Sequence, residues 1–122
     1  MRRVIFDSSF LMAVAENPTA WLEDIGERIG SFDPTLLDCV RAELDRIAAG
    51  GGRKSKTARV ALSLAEGFST LPCGGATVDD EIASAAVSEG AAVATSDAAL
   101  AESLRAMKVV VISLSRRRVA VR

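Results

Sequence analysis

Short runs of apolar residues alternate along this chain with longer stretches in which apolar residues recur at helical spacing. A continuous apolar run is typical of a strand that is buried on both faces of a parallel sheet. On this basis we expect strands at residues 4–6, 35–37, 69–71, 91–95 and 109–112. Helices are predicted at residues 10–14, 18–29, 40–49, 57–66, 77–89 and 98–107. This alternation indicates βαβ units, so we expect an α/β fold with a mostly parallel sheet.

The length and composition are those of one globular domain. The chain has 122 residues, which predicts a single domain over residues 1–122. It has 15 basic and 16 acidic residues, and this near balance excludes a polycation that coats nucleic acid with its whole surface. Histidine is absent, which excludes a Ser-His-Asp triad and histidine metal ligands.

The two cysteines, Cys39 and Cys73, are too few for a four-cysteine zinc site and do not form a C-x-x-C pair. We expect them to be free, reduced thiols, as in a cytoplasmic protein. The N-terminal residues lack the apolar region of a signal peptide, and no apolar run is long enough for a membrane span. The sequence therefore predicts a cytoplasmic location and no membrane partner.

Two acidic residues follow predicted strands. Asp7 comes directly after the first strand, and Asp97 lies two residues beyond Thr95, where the fourth strand is expected to end. Ligands of open α/β sheets collect at the carboxyl ends of the strands. We therefore expect both side chains at the same edge of the sheet. A helix N-cap after Ser96 is the alternative role for Asp97.

A third acid is singled out by its phase on a predicted helix. Asp79 lies at the centre of the apolar stripe that contains Ile82 and Ala86, whereas Asp80 points about 100° away. Thr77 is a suitable N-cap for this helix, and acids in a first turn favour the helix dipole. Interaction with the helix dipole accounts for Asp80. It does not account for Asp79, because an acid that faces the core needs a partner.

Glu43 is the fourth candidate, at the border of the apolar face of another predicted helix. A salt bridge with Arg41 or Arg46 is its alternative role. Carboxylates that converge cannot all ionise without an opposing charge. A hard divalent cation, Mg²⁺ or Mn²⁺, would supply that charge and would activate water without histidine. The candidate ligand set is Asp7, Glu43, Asp79 and Asp97.

The segments that carry these acids resemble the PIN domain, a small metal-dependent ribonuclease fold. Residues 4–11 resemble the family's strand that ends in Asp-Thr-Asn-x-Leu, and residues 40–44 resemble its V-x-x-E-L helix. Residues 79–97 resemble its D-x-x-I-A…G…T-x-D stretch, with the same internal spacing. The resemblance covers essentially the whole chain.

The resemblance implies a three-layer α/β/α sandwich with a five-stranded parallel sheet. It implies an endoribonuclease that uses metal-activated water, with catalysis and metal binding on the same four acids. It assigns supporting roles to Ser9, Thr95 and Ser96. Ser9 occupies a position where the family often has asparagine. It also implies that Cys39 and Cys73 follow neighbouring strands. A disulfide is then geometrically conceivable, although free thiols remain our expectation.

Basic residues form two clusters that suit a polyanionic ligand. One cluster follows the triple glycine at residues 50–52, and the other lies near the C-terminus. A solvated surface is the alternative for either cluster alone. Together with the resemblance, they predict RNA contacts by Arg53, Lys54, Lys56, Arg59, Arg116, Arg117 and Arg118.

Several biological roles are compatible with a PIN domain. Residues 109–121 resemble the ribosomal-RNA-processing branch of archaea, which favours RNA processing with a ribosome-assembly partner. A VapC-type toxin with its antitoxin and a catalytically silent RNA-binding module are the alternatives. A homodimer is also an option, since Trp21, Leu22 and Ile25 suit a dimer surface as well as a core. A two-component receiver domain is disfavoured because Asp7 stands alone and Lys108 precedes the last strand.

Overall fold

The computed structural model describes residues 1–115 and 118–122, and within them six strands alternate with six helices. The strands are β1 (Arg2–Phe6), β2 (Phe32–Leu37), β3 (Ser69–Leu71), β4 (Ala92–Ala94), β5 (Val111–Ser115) and β6 (Arg118–Val121). The helices are α1 (Ser8–Glu16), α2 (Trp21–Ile29), α3 (Asp38–Ala49), α4 (Arg53–Leu64), α5 (Val78–Glu89) and α6 (Ala98–Ala106). Every predicted strand and helix is present, although α4 starts earlier than its apolar pattern indicated.

The strands form one sheet in the order β3-β2-β1-β4-β5-β6. The pairs from β3 across to β5 are all parallel. The predicted α/β sandwich, with helices layered against a parallel sheet, is therefore confirmed. In this order β1 and β4 are neighbours, so Asp7 and Asp97 follow adjacent strands as expected.

The sixth strand corrects the sequence analysis, which assigned no strand to the C-terminal segment. β6 pairs antiparallel with β5 and places Val119 opposite Leu114. The short connection between the two strands permits only an antiparallel pair. Val119 is only 2% exposed, so this strand adds an apolar residue to the core. The segment was missed because its few apolar residues follow a basic cluster and gain a partner only in the folded sheet.

The core is built around β1, whose last three residues, Val4, Ile5 and Phe6, are completely buried. A strand in the middle of a parallel sheet is covered on both faces, which explains its continuous apolar run. The Phe6 ring packs against three other aromatic rings at centroid distances of 5.2–5.6 Å, those of Phe10, Trp21 and Phe68. These contacts fasten α1 and α2 to the sheet just below the end of β1.

The apolar residues of α2 belong mainly to the core rather than to a dimer surface. Trp21 is 5% exposed and Ile25 is fully buried, whereas Leu22 is 40% exposed. The three residues proposed for a dimer surface therefore do not form one exposed patch. Within the described residues, no helix is both long enough and apolar enough to cross a membrane.

A disulfide joins Cys39, in the first turn of α3, to Cys73, in the loop after β3. The Cα atoms of the two residues are 6.0 Å apart, within the usual range for a disulfide. The expectation of free thiols is therefore wrong in this structure. That expectation relied on composition and cellular context. The pairing depends instead on β2 and β3 being neighbours, so that the residues after both strands come close together.

Candidate functional site

The candidate site lies at the carboxyl edge of the sheet, where Asp7 leaves β1 and begins α1. Its side chain is 5% exposed. Asp7 Oδ2 accepts hydrogen bonds from Ser9 Oγ at 2.6 Å and from Thr95 Oγ1 at 2.8 Å. Every hydrogen bond to this carboxylate in the described residues goes to the same oxygen. Oδ2 therefore holds the group in position, and Oδ1 is left for a ligand.

Three residues suggested by the resemblance, Ser9 and Thr95 through their side chains and Ser96 through its backbone, form a hydrogen-bonded link between the ends of β1 and β4. Ser9 Oγ accepts from the backbone N–H of Ser96 at 2.9 Å and lies 3.2 Å from Thr95 Oγ1. Thr95 is almost fully buried, and its Oγ1 accepts from the backbone N–H of Asp97 at 3.0 Å. Serine at position 9 thus supplies the hydrogen bond to Asp7 although the family often has asparagine there.

Asp97 is the N-cap of α6. Its Oδ1 accepts from the backbone N–H groups of Ala99 and Leu100 at 2.9 and 3.1 Å. The alternative N-cap role is therefore correct for this oxygen. A cap engages only one carboxylate oxygen, and Asp97 is an exposed residue, so its Oδ2 can still contact a ligand. The cap also sets the direction of the side chain at the edge of the sheet.

Glu43 lies on α3 with its side chain half-buried, and its Oε1 accepts a hydrogen bond from Ser8 Oγ. Ser8 is the first residue of α1, so this bond joins α3 to the helix that Asp7 begins. The alternative salt bridges to Arg41 and Arg46 are wrong. Both ion pairs found in the described part of the chain involve Arg3 instead.

Asp79 lies in the first turn of α5, next to the N-cap Thr77, whose Oγ1 accepts from the backbone N–H of Asp80 at 3.3 Å. The helix phase was predicted correctly, since Ile82 and Ala86 are buried. Asp79 itself is exposed rather than core-facing, because the first turn extends past the buried part of the stripe.

The pKa of Asp79 shows that the four acids share one electrostatic environment. Partial burial raises this pKa first, and the negative charges of Asp7, Asp97 and Glu43 raise it further, in that order. A smaller effect of the same sign comes from the adjacent Asp80. Like charges that raise a carboxyl pKa must lie near it. Asp79 therefore lies within electrostatic range of the other three predicted acids.

The carboxylate oxygens of the four acids are suitable ligands for a hard cation, but the four side chains do not surround a single ion site. Among the described residues, no group of three metal-binding side chains is close enough together to hold an ion. Within the described residues, Arg3 pairs with Asp33 and Glu89, and none of the four acids forms an ion pair. Carboxylates without such a partner suit Mg²⁺ or Mn²⁺.

A family profile described as "PIN like domain" matches residues 4–118. The chain belongs to the PIN-like domain family. The resemblance found from the sequence is thereby confirmed. No curated protein matches the chain.

Solved structures agree with this PIN-like assignment. One is the PIN domain endonuclease Utp24, with 27% identity and a TM-score of 0.81 over 98% of this chain and 90% of that one. A domain of a functionally unknown protein from Methanocaldococcus jannaschii has 15% identity and a TM-score of 0.67, over 94% and 92% of the two chains. PAE2754 from Pyrobaculum aerophilum has 20% identity and a TM-score of 0.53, over 81% and 77%. The last two support the fold alone.

One acid in the PIN-like chain has a role that sequence reasoning missed. The carboxylate of Glu81 accepts the backbone N–H of Gly74 at 2.9 Å through Oε1 and that of Ala76 at 2.8 Å through Oε2. These two bonds lower the pKa of Glu81. Its place in the first turn of α5 indicates by itself only a favourable interaction with the helix dipole. The glycine pair after Cys73 was the available signal, since a turn there leaves N–H groups without partners. Glu81 thus holds the loop that leads into α5.

The predicted RNA-binding residues of the PIN-like chain differ in their surroundings in the structure. Arg53, Lys54 and Lys56 are exposed in the first turns of α4. Arg59 differs because its Nη1 donates to the backbone oxygen of Ala48 at 3.1 Å and to Ser55 Oγ at 2.8 Å. It therefore ties α4 to the end of α3. Arg118 is exposed on β6, whereas Arg116 and Arg117 lie outside the described residues.

Proposed function

We propose that this PIN-like protein is a divalent-metal-dependent endoribonuclease that acts in RNA processing. The observation that carries the proposal is a set of four acids, Asp7, Glu43, Asp79 and Asp97, that interact electrostatically and form no ion pair within the described residues. Family membership and the similarity to a PIN domain endonuclease support a nuclease function at the family level. The same four acids are the residues that would hold Mg²⁺ or Mn²⁺.

Each anchored acid in this proposal uses one oxygen for structure and presents the other. Hydroxyls of Ser9 and Thr95 hold Asp7, the Ser8 hydroxyl holds Glu43, and backbone amides hold Asp97. Such preorganisation reduces the reorganisation needed when charge develops on a phosphate. Asp79 is exposed and accepts no side-chain hydrogen bond in the described residues, so it has the most freedom to turn toward a cation. A divalent cation bound by this set would acidify water and offset negative charge on the phosphate.

The direct experiment incubates the purified protein with single-stranded and hairpin RNA in Mg²⁺ or Mn²⁺. We expect internal cleavage that leaves 5′-phosphate and 3′-hydroxyl ends and that stops on addition of EDTA. Without histidine, the chain lacks the usual general base for cleavage through the 2′-hydroxyl. Cleavage that persists in EDTA, or products with 2′,3′-cyclic phosphates, would falsify the proposal.

A catalytically silent RNA-binding module is the second candidate. The observation that favours it is the lack of a closed ligand set in the described part of the chain. Metal binding separates the two candidates. For the nuclease, Mn²⁺ at about 100 times its Kd should raise the free energy of unfolding by about 2.7 kcal/mol. A silent module should show no such increase in urea unfolding. A VapC-type toxin remains an alternative role for the same nuclease chemistry.

Replacing Arg53, Lys54 and Lys56 together with alanine should weaken RNA binding and reduce its salt dependence. Each phosphate contact with single-stranded RNA contributes about 0.7 to the slope of log K against log salt, so the slope should fall by about 2. Fluorescence anisotropy with labelled RNA measures this slope. Arg59→Ala is the matched control. It should lower the free energy of unfolding by about 1 kcal/mol and change the slope less, because Arg59 already has protein acceptors. A triple variant with an unchanged slope would remove α4 from the RNA-binding surface.

A further inference from the structure

A cleft of about 250 Å³ adjoins the carboxylate edge on the side of α6 and β5. Thr95, Ser96 and Asp97 line its wall nearest the acids, and Arg105 and Ser113 also line it. A second cleft of about 380 Å³ shares Ser96 and Leu114 with it and is also lined by Thr19. Two neighbouring clefts therefore lie on this side of the edge.

Arg105 is an arginine without a protein acceptor in the described residues. It lies in the last turn of α6 with its side chain half-buried. Its Nε is buried and has no hydrogen-bond partner there. Neither of the ion pairs in the same residues includes it. A buried donor that lacks an acceptor destabilises the fold. Arg105 is thus unlike Arg59, whose guanidinium has protein acceptors.

Asp97 lies on the same cleft but does not neutralise Arg105. Its Oδ1 is occupied by the amides at the start of α6, and the two residues form no ion pair in the described structure. The cleft therefore has the Asp97 carboxylate at the end nearest the other acids and, along its wall, the Arg105 guanidinium, which forms no ion pair in the described residues. A phosphodiester chain matches this pattern, because one phosphate can meet the acids through a cation while another meets the arginine.

We propose that this cleft holds one flank of the RNA strand and that Arg105 binds a phosphate next to the one that is cleaved. The proposal rests on the proposed nuclease function and names a residue that was not among the predicted RNA contacts. Ser96 and Ser113 line the same cleft and supply hydroxyl donors near that phosphate. α4 packs against α1 and α3, whereas α6 packs against β5. The exposed cations of α4 and Arg105 therefore lie on different elements of the fold, and each would contact a different part of the strand.

The test measures binding of a short fluorescein-labelled oligouridylate to the full chain in EDTA, where cleavage is not expected. Arg105→Ala should weaken binding about tenfold and lower the slope of log K against log salt by about 0.7. Arg105→Lys should restore the slope but not the full affinity, since lysine keeps the charge and loses the planar donor pair. Arg2→Ala is the control, because Arg2 is an exposed arginine at the opposite end of β1. Circular dichroism and thermal unfolding establish that each variant is folded.

Oligouridylates with one uncharged methylphosphonate linkage locate the contact. The unmodified protein should lose affinity at one linkage close to the cleavage position, and Arg105→Ala should be insensitive there. Equal losses in both proteins, or an Arg105→Ala variant that binds like the unmodified chain at every salt concentration, overturn the proposal. If Arg105 controls binding but the protein does not cleave RNA in Mn²⁺, the nuclease function fails and the phosphate site stands. If RNA is cleaved and Arg105→Ala leaves KM unchanged, the phosphate site fails alone.

Discussion

Asp79→Asn should reduce RNA cleavage by at least about 100-fold, whereas Asp80→Asn should retain most of the activity. The two acids are neighbours in the first turn of α5, but the charges of Asp7, Asp97 and Glu43 act on the pKa of Asp79. A 100-fold loss corresponds to about 2.7 kcal/mol of transition-state stabilisation, which is the scale of a charge effect in such a site. Initial rates at saturating Mn²⁺ measure both variants. Each substitution removes one negative charge from the same turn, so the pair is closely matched.

The same two variants should also differ in stability, in the opposite order to their activities. Asp79→Asn should have the higher free energy of unfolding at neutral pH. Because the pKa of Asp79 is raised in the folded state, its stabilising contribution is fully present below the ordinary aspartate pKa of 3.8. That contribution is lost as the pH rises through the raised value. In EDTA at neutral pH, Asp79→Asn should therefore be as stable as the unmodified protein or more stable, and any gain should vanish at about pH 3.

Asp80→Asn should instead lose about 0.5 kcal/mol at neutral pH, because it removes a negative charge from the N-terminus of α5. Urea unfolding at both pH values measures these differences. If the two variants exchange their activities and stabilities, the assignment of Asp79 to the site is wrong.

Reduction of the Cys39–Cys73 disulfide should lower the free energy of unfolding by about 3–4 kcal/mol. The two cysteines are 34 residues apart in the sequence, and a cross-link over a loop of that length restricts the unfolded chain considerably. Urea unfolding with and without a phosphine reductant measures the effect. Mass spectrometry under non-reducing conditions should show the loss of two hydrogens.

The double variant Cys39→Ala, Cys73→Ala is the control for reduction. It should unfold at the same urea concentration with and without reductant, close to that of the reduced protein. The bridge also lies near the candidate site, because Cys39 is one helical turn before Glu43 and Cys73 precedes the loop that Glu81 holds. Reduction of the disulfide should therefore lower the rate of RNA cleavage as well as the free energy of unfolding. A reductant that leaves the unmodified chain equally stable would contradict a disulfide in solution.

The elements of the sheet were predictable because their signals are local. β1 and β4 are buried on both faces, so they appear in the sequence as continuous apolar runs such as Val4-Ile5-Phe6. β6 has a similar short apolar run, Val119-Ala120-Val121, but this run lies between arginines and was not assigned to a strand. It pairs with the edge of β5 in the folded sheet. Because β6 gains its structure from pairing with β5, its own residues do not suffice to predict it.

The candidate site, like the sheet, was predictable only where its signals lie in neighbouring residues. The position of Asp7 after an apolar run and the phase of Asp79 on its helix both follow from residues close by in the sequence. The partners of these acids do not. The bond from Ser8 to Glu43 spans 35 positions, and the bond from Thr95 to Asp7 spans 88. The salt bridges that were the alternative role for Glu43 involve arginines close by in the sequence, and the folded chain uses the Ser8 hydroxyl from another helix instead.

By itself, the sequence determined the alternation of strands and helices, the family resemblance and the four acids, because periodicity, strand ends and motif spacing are properties of neighbouring residues. Tertiary structure alone decided the disulfide, the hydroxyl link through Ser9 and, among the described residues, the lack of an acceptor for Arg105 Nε. Each depends on which strands lie side by side. β2 beside β3 brings Cys39 to Cys73, and β1 beside β4 brings Asp7 to Thr95. Strand order is a global outcome of packing, so contacts between the ends of adjacent strands exist only after the sheet has formed.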